Sequence, residues 1–235
     1  MSEVRKLILT DSMKKAKRRF AISDIHGCFK TYQALLSQIS LKKDDYLFIL
    51  GDAVNRGPDS SSILDDILNR KAKGFQIFYL RGNHEQAILD TIERKPKHIK
   101  RLIKNHNNGG LFDKRIIKEK YHNLLQETYH YIETEDYFLV HAGFNFDADE
   151  PFQDSRPMLF IKQFKAKKEP LKNKKVIVGH KPKKLQKIIS RLATEKRKIY
   201  IDNGCVNHDL KGMGNLICFN LDTKAVSIQR NIDQS

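Results

Sequence analysis

Asp24 and His26 stand two residues apart at the end of the apolar run Phe20-Ala21-Ile22, with Gly27 directly after them. In an extended strand, residues i and i+2 leave the same side. The two side chains would therefore reach out together as one oxygen donor and one nitrogen donor. Taken alone, "SDIHGC" is equally a strand end with a polar turn. Four more apolar runs end in the same way, in "GDAVNRG", "RGNHE", "VHAG" and "VGHKP". Each sets an Asp, Asn or His against glycine where a strand gives way to a turn. In open α/β sheets, ligands bind at the carboxyl ends of strands, so the five clusters can converge. Asp24, His26, Asp52, Asn83, His141 and His180 then make a mixed oxygen and nitrogen donor set. It suits borderline divalent ions such as Mn, Fe or Zn better than a thiolate-selected metal. No cysteine pair has the spacing of a structural zinc site.

These residues need a scaffold, and the chain has the rhythm of one. "RRFAISD" reads as a buried strand and "FKTYQALLSQIS" as a helix with Phe29, Tyr32, Leu35, Leu36 and Ile39 on one face. "DYLFILGD" is a strand again, followed by a helix in "PDSSSILDDILNR" with Pro58 in its first turn. "FQIFYLRGNHE" repeats strand, turn and helix, and helical material is expected over roughly 84–126. The later strands are "YHYIET", "YFLVHAG", "KVIVGH", "RKIYIDNG", "GNLICFNL" and "AVSIQR". Strands alternating with helices early, then strands late, predict an α/β fold with helices packed around a sheet sandwich. Residues 1–17 are expected to be a basic, loosely ordered arm before a single domain over 18–235.

Composition narrows the setting. Hydrophobic residues make up 40% and charged residues 31% of 235, ordinary for a soluble protein. No apolar run is long enough to span a membrane, and the N-terminus has no secretory h-region. Three scattered cysteines (Cys28, Cys205 and Cys218) predict buried thiols and a reducing, cytoplasmic setting. The net charge of +16 is less ordinary and predicts an anionic partner. Between Lys162 and Lys198, fifteen Lys or Arg residues face only Glu169 and Glu195. The plainer alternative is a lysine-rich surface that maintains solubility.

The ordered motifs resemble those of the calcineurin-like metallophosphoesterases, and more closely the phosphoprotein phosphatase branch of bacterial and bacteriophage serine/threonine phosphatases. That family carries GDxHG, GDxVDRG, GNHE, HAG and GH[TK]P in this order. Here they stand at Ser23–Gly27, Gly51–Gly57, Gly82–Glu85, His141–Gly143 and Gly179–Pro182, and "YIDNGCV" resembles a later family stretch. The resemblance covers about residues 19–228. It implies a β-sandwich of two mixed sheets flanked by helices, with a dinuclear metal site at the strand ends. Asp24 and His26 would hold one metal, Asp52 would bridge, and Asn83, His141 and His180 would complete the second. A bridging hydroxide would attack phosphorus directly. His84 would be the general acid and Arg56 the phosphate grip.

Two residues depart from the family pattern. Asn55 stands where GDxVDRG has its second Asp, whose family role is to support the general-acid histidine. Lys162, in "MLFIKQF", stands where relatives carry a phosphate-binding Arg, replacing a bidentate fork with a point charge. The resemblance implies hydrolysis of phosphoserine or phosphothreonine proteins. Alternatives are symmetrical hydrolysis of diadenosine tetraphosphate or another small anionic phosphoester, and a catalytically weak relative that binds a phosphorylated partner or nucleic acid. Nucleic acid is not the expected partner. His98, His106, His122, His130 and His208 lack strand-end context and are read as surface or structural residues.

Overall fold

A computed structural model describes residues 3–9, 16–194 and 196–233. Its strands are β1 (Lys6–Ile8), β2 (Arg19–Ile22), β3 (Tyr46–Ile49), β4 (Gln76–Tyr79), β5 (Phe112–Asp113), β6 (Ile116–Ile117), β7 (Tyr131–Glu133), β8 (Tyr137–Val140), β9 (Lys175–Val178), β10 (Lys198–Tyr200), β11 (Asn215–Asn220) and β12 (Val226–Arg230). Its helices are α1 (Phe29–Gln38), α2 (Ser60–Ala72), α3 (Asn83–Arg94), α4 (Ile99–Asn105), α5 (Glu119–Gln126), α6 (Ser155–Phe160), α7 (Lys168–Leu171) and α8 (Leu185–Leu192). One mixed sheet runs β1-β7-β8-β9-β10 and the other β12-β11-β2-β3-β4. This is the expected pair of mixed sheets flanked by helices.

Strand alternation explains why the apolar runs looked continuous. In β3, Leu47 and Ile49 face the helices, whereas Phe48 turns to the interior between the sheets. In β2, Phe20 and Ile22 face outward to α1 and α2 while Ala21 points inward. A strand buried on both faces has no polar side to show. The inter-sheet core joins Ala21, Phe48 and Leu80 from one sheet to Ile132, Leu139 and Ile177 from the other. Strands β2, β3 and β4 are mutually parallel, as are β8, β9 and β10. Within each triplet the carboxyl ends therefore share one edge of the sheet.

Three expectations change. Part of the N-terminal arm is docked: β1 pairs in parallel with β7, from Lys6 opposite Tyr131 to Ile8 opposite Glu133. The Arg5 N–H donates to Nδ1 of buried His130 at 3.0 Å. Residues 10–15 of that arm lie outside the described residues. Pro58 precedes α2 rather than starting it; Asp59 is the N-cap, its carboxylate accepting from the Ser62 N–H at 2.9 Å. The 84–126 region is not continuous helix, because Gly109 and Gly110 lead into the β5–β6 hairpin. Helix α1 has no local side-chain cap at Cys28. Instead Asp233 accepts from the Lys30 and Thr31 N–H groups, both at 2.9 Å. Cys28, Cys205 and Cys218 are free and buried, as expected. Among the described residues, no helix is long and apolar enough to cross a membrane.

Candidate metal centre

The strand-end clusters meet at one edge. Their backbones are bent hard to do so: His26, Asp52, Asn55, Arg56 and His180 all have positive φ, between 49° and 73°. A left-handed non-glycine residue is strained by roughly 1 kcal/mol or more, and such residues persist where neighbours hold them. Here the His26 N–H donates to the Asp52 carbonyl at 2.9 Å, and the Gly57 N–H donates to the His26 carbonyl at 2.9 Å. Gly51 is required by contact as well as by its φ of 91°. A Cβ there would lie 2.5 Å from the Gly82 nitrogen, so two motif loops could not approach.

The histidine tautomers follow from their partners. Nδ1 of His26 lies 3.1 Å from the Val54 carbonyl, and Nδ1 of His141 lies 2.9 Å from the Leu50 carbonyl. A carbonyl only accepts, so each Nδ1 carries the proton and each Nε2 keeps a lone pair. The Nε2 atoms of His26, His84 and His141 stand 3.8, 3.9 and 3.5 Å from one oxygen of Asp52. On the far side, the Asn83 side-chain oxygen lies 3.0 Å from His141 Nε2 and 2.9 Å from His180 Nδ1. Those two ring nitrogens are 3.2 Å apart. The Asn83 oxygen and His141 Nε2 both turn lone pairs to this point, and a cation or the His180 Nδ1 proton can fill it. Two groups thus gather ligand atoms within 4.8 Å: His26, Asp52 and His84, and Asp52, His141 and His180.

The electrostatics suit cations too. Asp24, Asp52, Glu85 and Asp202 are all buried. Burial first, then Glu85 and Asp24, pushes the Asp52 carboxyl well above its ordinary range. Burial and Asp24 do the same to Asp202, one of whose oxygens has no partner. Burial holds the His26 ring well below its usual value, helped by His84 and Arg56. Burial and His141 bring His180 down to about 4. Neutral imidazoles beside crowded carboxylates are what divalent ions require of their ligands. The donors fit a metal pair.

The sequence-expected residues are placed as follows. Asp52 is the hub, with His26, Asn83, His141 and His180 around it. Asp24 lies alongside: its carboxylate accepts from the Ser23 hydroxyl at 2.5 Å and from the His180 N–H at 3.0 Å. His84 joins the His26–Asp52 group, and its N–H donates to Asp52 at 2.9 Å. Arg56 is exposed, and its charge depresses His26, His84 and His180, which puts it at the mouth. Lys162 follows α6, is exposed, and also lowers His180.

Three residues escaped sequence reasoning. Glu85 is fully buried and accepts from the N–H groups of Asp52 (2.8 Å), Ala53 (2.9 Å) and Gly82 (2.8 Å) and from the Tyr79 hydroxyl (2.7 Å). It sits at the third position of α3 and reaches back to the Gly82 N–H, half of a capping box and the one local signal that could have marked it. Asn108 is buried and donates to the Asn55 side-chain oxygen. The ring of His106, read as a surface or structural residue, stands edge-on to His84 with centroids 5.9 Å apart.

Comparison with known proteins agrees with this geometry. The family model for calcineurin-like phosphoesterases matches residues 18–217. The symmetrical bis(5'-nucleosyl)-tetraphosphatase of Wigglesworthia glossinidia brevipalpis is 39% identical over 82 residues, covering 34% of this chain and 29% of that protein. The enzyme of the same name from Delftia acidovorans is 28% identical over 129 residues, covering 53% and 43%. The matched stretches thus span less than half the length of these curated relatives. In fold, the chain is similar to a protein serine/threonine phosphatase from Saccharomyces cerevisiae, with a TM-score of 0.63, 14% identity, and 98% and 85% of the two chains covered.

Proposed function

The chain belongs to the calcineurin-like phosphoesterase family, and from that premise we propose that the centre around Asp52 hydrolyses a phosphoester by in-line attack of water, with two divalent ions bound. The observation that carries this reading is the convergence of three imidazole Nε2 atoms on one Asp52 oxygen, opposite the Asn83–His141–His180 cluster. When bound, the ions supply Lewis acidity and lower the pKa of a coordinated water toward neutrality.

The chain's own residues do the rest. Asp24, His26, Asp52, Asn83, His141 and His180 present the ligand atoms. Glu85 locks the Asp52 loop through three backbone N–H groups. The Arg56 guanidinium has no protein partner among the described residues, so its planar fork is available to phosphate oxygens. Lys162 adds a second positive charge at the same mouth. His84 offers a ring proton to the leaving oxygen from the side facing Asp52.

For substrate, the reading favours a dinucleoside polyphosphate over the phosphoserine or phosphothreonine protein implied by the motif resemblance. The names of the sequence relatives and the cationic mouth support it. Turnover of p-nitrophenyl phosphate by metal-stripped protein, titrated with Mn²⁺ beside Asp52→Asn, tests the centre. Metal-dependent turnover lost in the variant is the expected result. Diadenosine tetraphosphate and a phosphothreonine peptide then test the substrate, with ADP as the expected product and preferential peptide turnover the result that overturns it.

A further inference from the structure

The basic segment 162–198 does more than line the metal centre. Strand β10 is the edge of its sheet, and Lys198 and Tyr200 share its outer face while Ile199 points to the inter-sheet core. Phe164, from the loop after α6, and Arg191, from α8, close around them. A groove of about 430 Å³ opens there, with Lys196 and Arg197 on its walls and no acidic residue lining it among the described residues. Tyr200 is in register with Val178, two residues before His180, so the groove lies beside the centre on the outer face of the sheet.

Lysines on edge strands commonly block strand pairing, and they do so while solvated. Lys198 is only 8% exposed. Its ammonium donates one hydrogen bond, to the Phe164 carbonyl at 3.0 Å, and lies 3.8 Å from the Phe164 ring centroid and 5.1 Å from that of Tyr200. An ammonium has three donors. The charges around it are Arg191, Lys183 and Lys181, which together with burial bring its pKa down to about 8. Arg191 spends Nε on the Lys198 carbonyl at 3.2 Å. Its terminal nitrogens have no hydrogen-bond partner among the described residues, though the guanidinium lies 5.7 Å from the Tyr200 ring centroid. Burying a cation with no counter-charge costs several kcal/mol, and among the described residues its charged neighbours are all cations.

We infer that this groove is a phosphate-binding site separate from the metal centre, shaped for the closely spaced phosphates of an oligophosphate. Lys198 supplies the buried donor, half-buried Arg191 a second, and Lys196 and Arg197 the outer charge. The volume suits a nucleotide-sized ligand. Closely spaced phosphates come from a free oligophosphate or from the tail of a nucleoside triphosphate, and both belong in the test.

Calorimetric titration of chelator-treated, metal-free protein with tripolyphosphate and with ATP tests the site. Wild type is expected to bind at least one of them more tightly than orthophosphate. Lys198→Met is expected to weaken that binding at least about tenfold, the loss typical of a charge-assisted hydrogen bond. Lys196→Glu, at an exposed position that leaves the core untouched, is expected to weaken it comparably, while Arg56→Ala retains it. Tighter tripolyphosphate binding points to a free oligophosphate, tighter ATP binding to a nucleotide, and either supports the site. Three results overturn it: no binding, loss that follows Arg56 instead, or equal loss on charge reversal at distant Lys114. None of these outcomes depends on metal-driven turnover.

Discussion

The side-chain amide nitrogen of Asn55 lies 2.8 Å from Nδ1 of His84. An amide N–H only donates, so Nδ1 accepts and the neutral ring carries its proton on Nε2, toward Asp52. Burial first, then Arg56, pushes the His84 pKa down to about 3. A carboxylate in place of the amide would stabilise the imidazolium. Asn55→Asp is therefore expected to shift the basic limb of the pH–rate profile to higher pH by about one unit or more. The check is kcat against pH with a poor leaving group such as phenyl phosphate, and an unchanged profile refutes control by residue 55.

Asn108 fixes which way that amide points, by donating to its oxygen. Asn108→Ala should leave Asn55 free to rotate and misplace the His84 proton. We expect roughly a tenfold loss on phenyl phosphate but less on p-nitrophenyl phosphate, whose leaving group needs little protonation. Equal losses on both substrates would mean that Asn108 only supports the fold.

Glu85 hydrogen-bonds the backbone N–H of Asp52 rather than its carboxylate. Removing such supporting contacts typically weakens metal binding 10–100-fold. Glu85→Gln should raise the Mn²⁺ concentration for half-maximal activity within that range, with maximal rate largely restored at saturation. A fall in rate that excess metal does not restore would place Glu85 in the chemistry itself.

His130 sets an acid limit on the N-terminal strand. Burial first, then Arg81, lowers its pKa to about 4. A histidine whose folded pKa lies below its unfolded value of 6.5 leaves stability intact above pH 6.5. That stability is lost progressively as pH falls toward 4, by on the order of 2–3 kcal/mol at full protonation. Protonation also removes the acceptor for the Arg5 N–H. Amide exchange at Leu9, whose N–H donates to the Glu133 carbonyl at 2.8 Å, should accelerate below pH 6 more in wild type than in His130→Gln. Matching acceleration in both proteins would exonerate His130.

Much of the architecture was legible because its signals are local. Strands β2 and β3 reveal themselves through apolar runs bounded by glycine, but the extended i, i+2 geometry expected of Asp24 and His26 is not found, because β2 ends at Ile22 and His26 has a φ of 49°. What was illegible depends on distance along the chain. Glu85 binds the Asp52 loop across 33 residues and Asn108 reaches Asn55 across 53; only the short reach to Gly82 hints at the first, and nothing local at the second. Strand β1 is three residues, and only pairing with β7 makes "KLI" a strand. Its charged neighbours read as solvent-facing until that partner is present.

Asp233 caps α1 from 203 residues downstream of Lys30, and α1 begins immediately after the Asp24–His26 loop. At 5–20 residues per second, the ribosome needs roughly ten to forty seconds to make the intervening chain. During that interval the first pair of ligands is exposed on an uncapped helix, before His141 and His180 have been made. An ion captured early would be held by Asp24 and His26 with few of their partners. Secure loading of the proposed ions would therefore wait until His141 and His180 have joined the first pair.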